Sequence, residues 1–538
     1  VSGLRLARRE EIAAARRTAG ADDAAAGERD FKGADVEATG ERHPTTVNRA
    51  RPATKHIERA AAAGLTNSRR RHLLCPLGGK TRYRVRMQED RYWNRPSQTA
   101  NREVLDALHL ERIRLLVGWA YEHSALHRTL YDAAGVKPAD IRTWDDYYYR
   151  LPFTDKPDYL ADQSASGTFG GLALPPESWQ QYFHTTGTTG HFLNEVFTQY
   201  EMHKAGSQYC YGLWDFGIRP RDSMYFCFDF GMWIGLWSFY WGARNLGLTI
   251  QSGGGMSAAD RVRQIIELRP TIVTGTPTYL LHLAEVAKRE GLDVRGAGVK
   301  MLAGGGEAGF STPVTRSRLA EEWGVEHIYD AYGIGEALFI GQSCAEWAGG
   351  VHVIEDVCHS YAIGLASGEP VVGADEVGEH VITSYTHFAQ PFIKYRTHDI
   401  VRIDPQPDHG CGWTWKHLPG VVLGRSDFMV TIRGVNIYPT AVENLIGDVT
   451  GLATHYELHI TRVDGMDRML VKVEADDRCR DRTEASERLR GHLRAQLGVN
   501  LEVEVVESEL LPRYELKTRR LFDHRSEGER PAAAFESH

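Results

Sequence analysis

Tyr182-Phe-His-Thr-Thr-Gly-Thr-Thr-Gly190 is a hydroxyl-rich, glycine-punctuated turn that opens onto strand-like residues. Gly187 and Gly190 let the backbone approach a ligand closely. The hydroxyls of Thr185, Thr186, Thr188 and Thr189, with the N–H groups of the turn, can cradle oxyanions. It reads as a phosphate grip. Surface turns of similar composition are common, so what accompanies the stretch decides its meaning.

At 538 residues the chain exceeds what one core normally fills, which predicts at least two domains. A hydrophobic content of 42% and a charged content of 25% are those of an ordinary globular protein. The net charge of -8 disfavours nucleic acid as a partner. Seven cysteines, an odd number with no C-x-x-C pair, form no disulfide framework and suit a reducing cytoplasm, the expected location. Residues 224–242 have the length of a membrane span. Asp229 interrupts them and α/β-type sequence flanks them, so a buried element or an aromatic pocket wall is expected, and no membrane partner.

Residues 1–86 are rich in Arg and Ala and poor in large apolar groups, which predicts disorder or a non-native extension ahead of Met87. The G-G-K-T at 78–81 echoes a phosphate loop, but Leu74 occupies the place of its first glycine and no strand precedes it. Helical sequence begins at Leu105, and Thr198 caps a helix to about residue 216. Between 257 and 333 the pattern alternates: a helix capped by Ser257, a strand at 271–274, a helix near 280–290, a strand at 299–303, another helix, and a strand at 327–329. Such alternation predicts a parallel sheet with helices on its faces and a ligand at the carboxyl ends of the strands. Beyond 424 the pattern changes. Thr440 and Glu443 read as a capping box, strands are expected at 457–461, 469–474 and 501–506, and Leu489, Leu493 and Leu497 mark one face of a helix that Gly498 ends. The expected fold is α/β: a large N-terminal domain with parallel-rich sheets flanked by helices (87–426), a small α+β domain (427–525) and a tail (526–538).

Six further motifs follow the turn: G-G-G-E at 304–307, D-A-Y-G-I-G-E at 330–336, Y-R-T-H-D at 395–399, G-R-S-D at 424–427, I-R-G-V-N-I-Y-P at 432–439 and L-P-R-Y-E-L-K at 511–517. In this order they resemble the adenylate-forming acyl-CoA synthetase superfamily. The stretches L-P-F-T-D-K at 151–156, G-V-H-V-I-E-D at 350–356 and I-R-G-V-N-I-Y-P are similar to its phenylacetate-CoA ligase branch. The resemblance spans about residues 95–525 and implies an adenylating fold whose small domain is mobile. It also implies a two-step reaction in which ATP converts a carboxylic acid to an acyl-AMP that passes to CoA.

Bringing a carboxylate to the α-phosphate joins two anions and needs cations and oriented donors. The resemblance assigns pyrophosphate to Thr185, Thr186, Gly187, Thr188, Thr189 and Gly190, and Mg²⁺ to Glu336. It stacks adenine on Tyr332, with Gly305, Gly306, Glu307, Asp330, Ala331 and Gly333 lining the nucleotide. Asp399 would accept both ribose hydroxyls and Arg425 would reach the same nucleotide. Lys517 corresponds to the adenylation lysine, so the catalytic set is Lys517, Glu336, Thr185 and Arg425. Asp427 takes the place of the hinge, and Arg433 and Gly434 line the approach of the thiol.

Rings crowd residues 225–241, and rings stack on rings, so a flat phenylacetate- or benzoate-like acid is the expected guest, held by Trp237, Tyr240 and Gly306. The branch also implies a structural Zn²⁺ on Cys344, His352, His409 and Cys411. The chain departs from the superfamily at Gly335, where a Thr or Ser hydroxyl is usual, at Leu516, and at His398. Two alternatives stay open: transfer of the acyl group to a carrier protein or an amine, or activation of nitrite; and a nucleotide-binding protein with impaired catalysis. A homodimer is compatible with the resemblance.

Overall fold

The computed structural model describes residues 90–525 apart from 186–191, 233, 308, 372, 375, 427–429, 433–434, 464–465 and 514–519. The expected extension at 1–86 and the tail at 526–538 lie outside the described residues.

After a short helix α1 (Arg95–Gln98), Asn101 caps α2 (Arg102–His123) by accepting from the Val104 N–H. Leu105, Ile113, Leu116, Val117 and Ala120 are its buried side. Helices α3 (Ala125–Ala133) and α4 (Lys156–Ser166) follow, the second opened by a capping box between Asp155 and Asp158. Strands β1 (Trp179–His184) and β2 (Asn194–Thr198) pair antiparallel, and the threonine-rich residues 186–191 that connect them in sequence lie outside the described residues. Thr198 then caps α5 (Gln199–Asp215), with Glu201 closing the capping box.

The apolar run at 224–242 divides between β3 (Ser223–Phe226) and α6 (Ile234–Leu246). Among the described residues no helix is long and apolar enough to cross a membrane. Beyond it come β4 (Thr249–Ser252), α7 (Ala258–Leu268), β5 (Ile272–Thr274), α8 (Pro277–Arg289), β6 (Met301–Gly305), α9 (Pro313–Trp323) and β7 (His327–Ile334). Strand β7 is longer than the sequence suggested, because D-A-Y-G-I continues it. Then β8 (Leu338–Gln342) and β9 (Gly350–Val353) lead to β10 (Cys358–Ile363), β11 (Val377–Ser384), β12 (Tyr395–Arg402), β13 (His417–Pro419) and β14 (Gly424–Arg425).

The main sheet has the order β13-β9-β8-β7-β6-β5-β3-β4. Strands β3 to β7 pair in parallel, whereas β8, β9 and β13 complete it antiparallel. The parallel strands are buried on both faces. Met224, Phe226, Ile272, Met301, Ala303 and Tyr329 face the core built with α5 and α6, while Tyr225, Val273, Leu302 and Ile328 face α7, α8 and α9. A second, wholly antiparallel sheet, β10-β11-β12-β14, carries the Y-R-T-H-D motif.

A separate core gathers β15 (Val430–Ile432), β16 (Val435–Ile437), α10 (Pro439–Gly447), β17 (Leu452–Val463), β18 (Met466–Ala475), α11 (Arg482–Leu497), β19 (Glu502–Val506) and β20 (Leu521–Asp523). Leu489 and Leu493 pack there with Leu458, Ile460 and Val471, and Gly498 ends α11 in the left-handed conformation. The expected Thr440–Glu443 capping box is not formed. Pro439 occupies the first turn and moves the cap to Tyr438, Thr440 bonds the Leu423 carbonyl, and the buried Glu443 accepts from the Tyr456 hydroxyl at 3.2 Å.

Candidate active site

The carboxyl ends of β6 and β7 lie so close that only glycine fits there. A Cβ at Gly305 would stand 2.0 Å from the Ala331 carbonyl oxygen, its partner in the ladder, and Gly306 turns out of β6 at φ 88°. Glu307 follows at the N-terminus of α8, where its carboxylate accepts from the Thr278 N–H at 3.0 Å, as suits a negative charge at the positive end of a helix. Asp330 is fixed by the Ser311 hydroxyl at 2.5 Å, and burial pushes its carboxyl up to about 6.

A bulge between Tyr332 and Gly333 turns the end of β7 toward the second sheet. There the Tyr332 hydroxyl donates to Asp399 Oδ2 at 2.7 Å, and Arg425 Nη1 donates to Asp399 Oδ1 at 2.8 Å. Since the Tyr332 proton goes to Asp399, the contact at 3.0 Å with His380 Nδ1 has the imidazole as donor, and His380 Nε2 accepts from Ser360. Burial holds His380 down at about 3, so the ring is neutral, as this chain requires. Asp399 is the residue expected to accept both ribose hydroxyls; each of its oxygens already takes one protein donor, which leaves one acceptor site apiece.

Glu336 lies in the turn between β7 and β8. The Tyr395 hydroxyl donates to its Oε1 at 2.9 Å, and His387 Nδ1 donates to its carbonyl at 3.1 Å. Thr185 closes the base of the hairpin: its N–H donates to the Leu193 carbonyl at 2.9 Å and its Oγ1 accepts from Leu193 N–H at 3.1 Å, which leaves the hydroxyl able to donate. Gly335, where the superfamily's hydroxyl is missing, is tightly enclosed. A Cβ there would meet the Glu195 carboxylate oxygens at 2.8 and 2.9 Å and Thr185 Cγ2 at 3.1 Å. Glu195, fully buried, has neither oxygen hydrogen-bonded among the described residues. Burial and the nearby Glu336 carboxylate hold its carboxyl well above the ordinary range.

Phe183, opposite Glu195 in the hairpin, joins a ring cluster with Trp237, Phe230 and Tyr240 at centroid separations of 5.0–6.1 Å. Tyr225, Phe226, Phe228, Phe239 and Trp241 are core, whereas Phe230, Trp237 and Tyr240 are half-buried and free to line a pocket. Trp237 is oriented by its indole N–H, which donates to the Gly231 carbonyl at 2.8 Å.

At the antiparallel edge of the main sheet, Cys344, His352, His409 and Cys411 present four ligand atoms within 4.8 Å of one another. A tetrahedral zinc spaces its ligand atoms roughly 3.3–3.8 Å apart, so the set fits one with slight adjustment. Cys411 Sγ is 3.4 Å from His352 Nε2, which is 2.8 Å from His409 Nε2. His352 Nδ1 donates to the Trp415 carbonyl at 3.0 Å, which leaves its Nε2 lone pair for a metal.

Thr186, Gly187, Thr188, Thr189, Gly190, Asp427, Arg433, Gly434 and Lys517 lie outside the described residues. The residues on either side of 514–519 are informative. Arg513 pairs with Glu474 of its own lobe at 2.7 Å and stands 3.8 Å from Glu285 of the large lobe. Arg520, 3.7 Å from Glu443, also feels the charge of Glu307 on the large lobe. Arg289 and Glu509 form a third, exposed pair between the lobes at 3.0 Å.

Residues 434–525 match the family model of the AMP-binding enzyme C-terminal domain. The phenylacetate-coenzyme A ligase of Escherichia coli is 30% identical over 439 residues, covering 80% of this chain and 97% of that protein. That of Thermus thermophilus is 31% identical over 382 residues, covering 71% and 83%. Among solved structures, 2-hydroxyisobutyryl-CoA ligase in the postadenylation state with 2-HIB-AMP is similar with a TM-score of 0.76 and 27% identity, over 84% of this chain and 94% of that one. With 2-HIB-AMP and CoA in the thioesterification state, at the same identity and coverage, the TM-score is 0.62.

Proposed function

The chain belongs to the phenylacetate-CoA ligase family of adenylate-forming enzymes and is an AMP-forming acid:CoA ligase, and from that premise we propose that its acid is aromatic and that Glu336, Asp399, Arg425 and Lys517 carry the adenylation. The half-buried wall of Phe230, Trp237 and Tyr240, with Phe183 of β1 against Trp237, supports an aromatic guest: it offers flat apolar faces next to strand β1.

Asp399, held by Tyr332 and Arg425, receives the ribose with its two remaining acceptor sites. Its geometry is set before ATP arrives, so little reorganisation is needed. Glu336, oriented by Tyr395, suits a hard cation that keeps most of its water, and the Glu195 carboxyl beside it, without a hydrogen-bond partner among the described residues, supports a cation there. Magnesium bound there would neutralise charge on the phosphate oxygens. Thr185 donates to the pyrophosphate with Thr186, Thr188 and Thr189 beyond it. In sequence Lys517 falls between Arg513 and Arg520, which lie near Glu285 and feel Glu307 of the large lobe, and in this reading it serves the acyl carboxylate and the α-phosphate. For the second step the small lobe (427–525) turns about Asp427, withdrawing Lys517 and bringing Arg433 and Gly434 to the CoA thiol. Zinc on Cys344, His352, His409 and Cys411 would tie two loops to β9, away from the chemistry. We place the enzyme in the cytoplasm.

The test is pyrophosphate release across a panel of phenylacetate, substituted benzoates and short aliphatic acids including 2-hydroxyisobutyrate. An aryl acid should show a kcat/KM at least tenfold above any aliphatic one. Trp237→Ala should lower the aryl value several-fold, the scale of losing one ring pair worth about 0.5–1.5 kcal/mol. An aliphatic acid as the best substrate would end the aromatic assignment.

A further inference from the structure

The glutamate on β2 has no task in the steps above. Glu195 lies in N-E-V-F-T, between an asparagine and a valine, and is fully buried. Both its oxygens lack a hydrogen-bond donor among the described residues. A buried carboxyl with no hydrogen-bond partner is costly, and Lys156, whose charge reaches it, makes no hydrogen bond to it, so a fold retains such a group only where something pairs with it.

The surroundings show what that partner must be. The Glu195 oxygens stand against the bare Cα of Gly335, whose next residue is Glu336, and Thr185 lines the same spot. Tyr395 donates to Glu336 and lies in the field of both carboxylates. Two carboxyl groups thus converge beside Thr185, where the ATP reading brings negative charge. A divalent ion between them binds both in their ionised form and supplies the partner that Glu195 lacks. Hard cations of this size take one or two carboxylates and complete their shell with water and phosphate oxygens.

We propose that Glu195 and Glu336 together hold one divalent cation, so that the metal site has two protein carboxylates, with Gly335 kept bare to admit the first of them. The proposal rests on the ATP-site reading for its place in the reaction, but binding of the metal can be measured without nucleotide. No bond is made or broken. The alternative occupant is an ammonium group of a substrate.

The experiment titrates the nucleotide-free full chain with Mn²⁺, following free Mn²⁺ by electron paramagnetic resonance. Glu195→Gln and Glu336→Gln should each weaken one Mn²⁺ site at least tenfold, and Gly335→Ala, which drives a methyl into the Glu195 carboxylate, should weaken it several-fold. In metal-free buffer Glu195→Gln should melt at or above the wild-type temperature, because a neutral amide of the same shape replaces a carboxyl that has no donor among the described residues. Wild-type Mn²⁺ affinity in Glu195→Gln overturns the proposal, as does a marked fall in its metal-free melting temperature, which would show that the carboxylate has a partner within the protein. So does Glu195-dependent binding of an amine with no Mn²⁺ site. Acid-dependent exchange of labelled pyrophosphate into ATP by the wild type tests the ATP-site reading separately: exchange with unchanged Mn²⁺ binding in Glu195→Gln sinks the two-carboxylate site alone.

Discussion

Tyr332→Phe isolates the hydroxyl that joins the nucleotide strand to Asp399. The substitution keeps the ring and removes one oxygen, which donates to Asp399 Oδ2 at 2.7 Å and accepts from His380 at 3.0 Å. A hydrogen bond to a charged group is worth about 1.5–3 kcal/mol, and a buried N–H left unpaired costs about 1–3 kcal/mol more. The variant should therefore lose about 3 kcal/mol of stability, with His380 stranded and Asp399 held by Arg425 alone. Every one of the 12 tryptophans lies before residue 427, so urea unfolding followed by tryptophan fluorescence reports the large lobe. A double-mutant cycle with Asp399→Ala should return a coupling of about 2 kcal/mol, since the two side chains share one bond. In the enzyme the same change should raise the KM for ATP on the order of tenfold and alter kcat less. A Tyr332→Phe protein within about 0.5 kcal/mol of wild type, and additive with Asp399→Ala, would refute the network as a determinant of the site.

Lys517→Ala should slow acid-dependent pyrophosphate release on the order of a hundredfold while leaving thioester formation from preformed acyl-adenylate and CoA near wild type; equal losses in both would remove the lysine from its assigned step. Metal analysis of the purified protein should find about one zinc per chain. Cys411→Ser should abolish it and cost about 2 kcal/mol, or on the order of 4 °C, with pyrophosphate exchange retained. Burial holds His127 at about 3 and His109 at about 4, both below the unfolded value of about 6.5. The unfolded chain therefore takes up their protons first, so this part of the stability is whole above pH 6.5 and is lost as pH falls below it. Each should cost about 1.4 kcal/mol at pH 5.5. His127→Asn should shrink the difference in unfolding free energy between pH 7.5 and 5.5 by that amount, and an unchanged difference would contradict it.

Helix starts and the alternation of the large lobe were legible because local chemistry decides them. Thr198 with Glu201, Ser257 and Gly498 each cap where their types and spacing direct. Glu443 misled for a local reason, since Pro439 pre-empts the first turn and frees Glu443 for Tyr456 and Arg520. Tyr395, inside a recognised motif, gave no sign that its hydroxyl serves Glu336, because that contact joins residues 59 apart. His380 and Glu195 were missed outright. Nothing near His380 in the chain announces Tyr332, and a glutamate in a short strand reads as a solvent-facing residue until the bare Gly335 is found against it. The four Cys and His residues were named from the resemblance, while their approach to one point depends on β9 pairing with β13 and on the loop before β13.

In the proposed turn of the small lobe, the ion pairs between the lobes would set a limit on how fast the enzyme can cycle. Arg289 with Glu509 is exposed, and Arg513 only grazes Glu285 at 3.8 Å, so each is worth no more than about 1 kcal/mol. A clasp that must release once per turnover has to be this weak: tightening both contacts by a further 1.4 kcal/mol each would slow release about a hundredfold if both break before the rate-limiting point. Salt that screens these charges should then speed an enzyme limited by reopening, and leave one limited by bond formation indifferent.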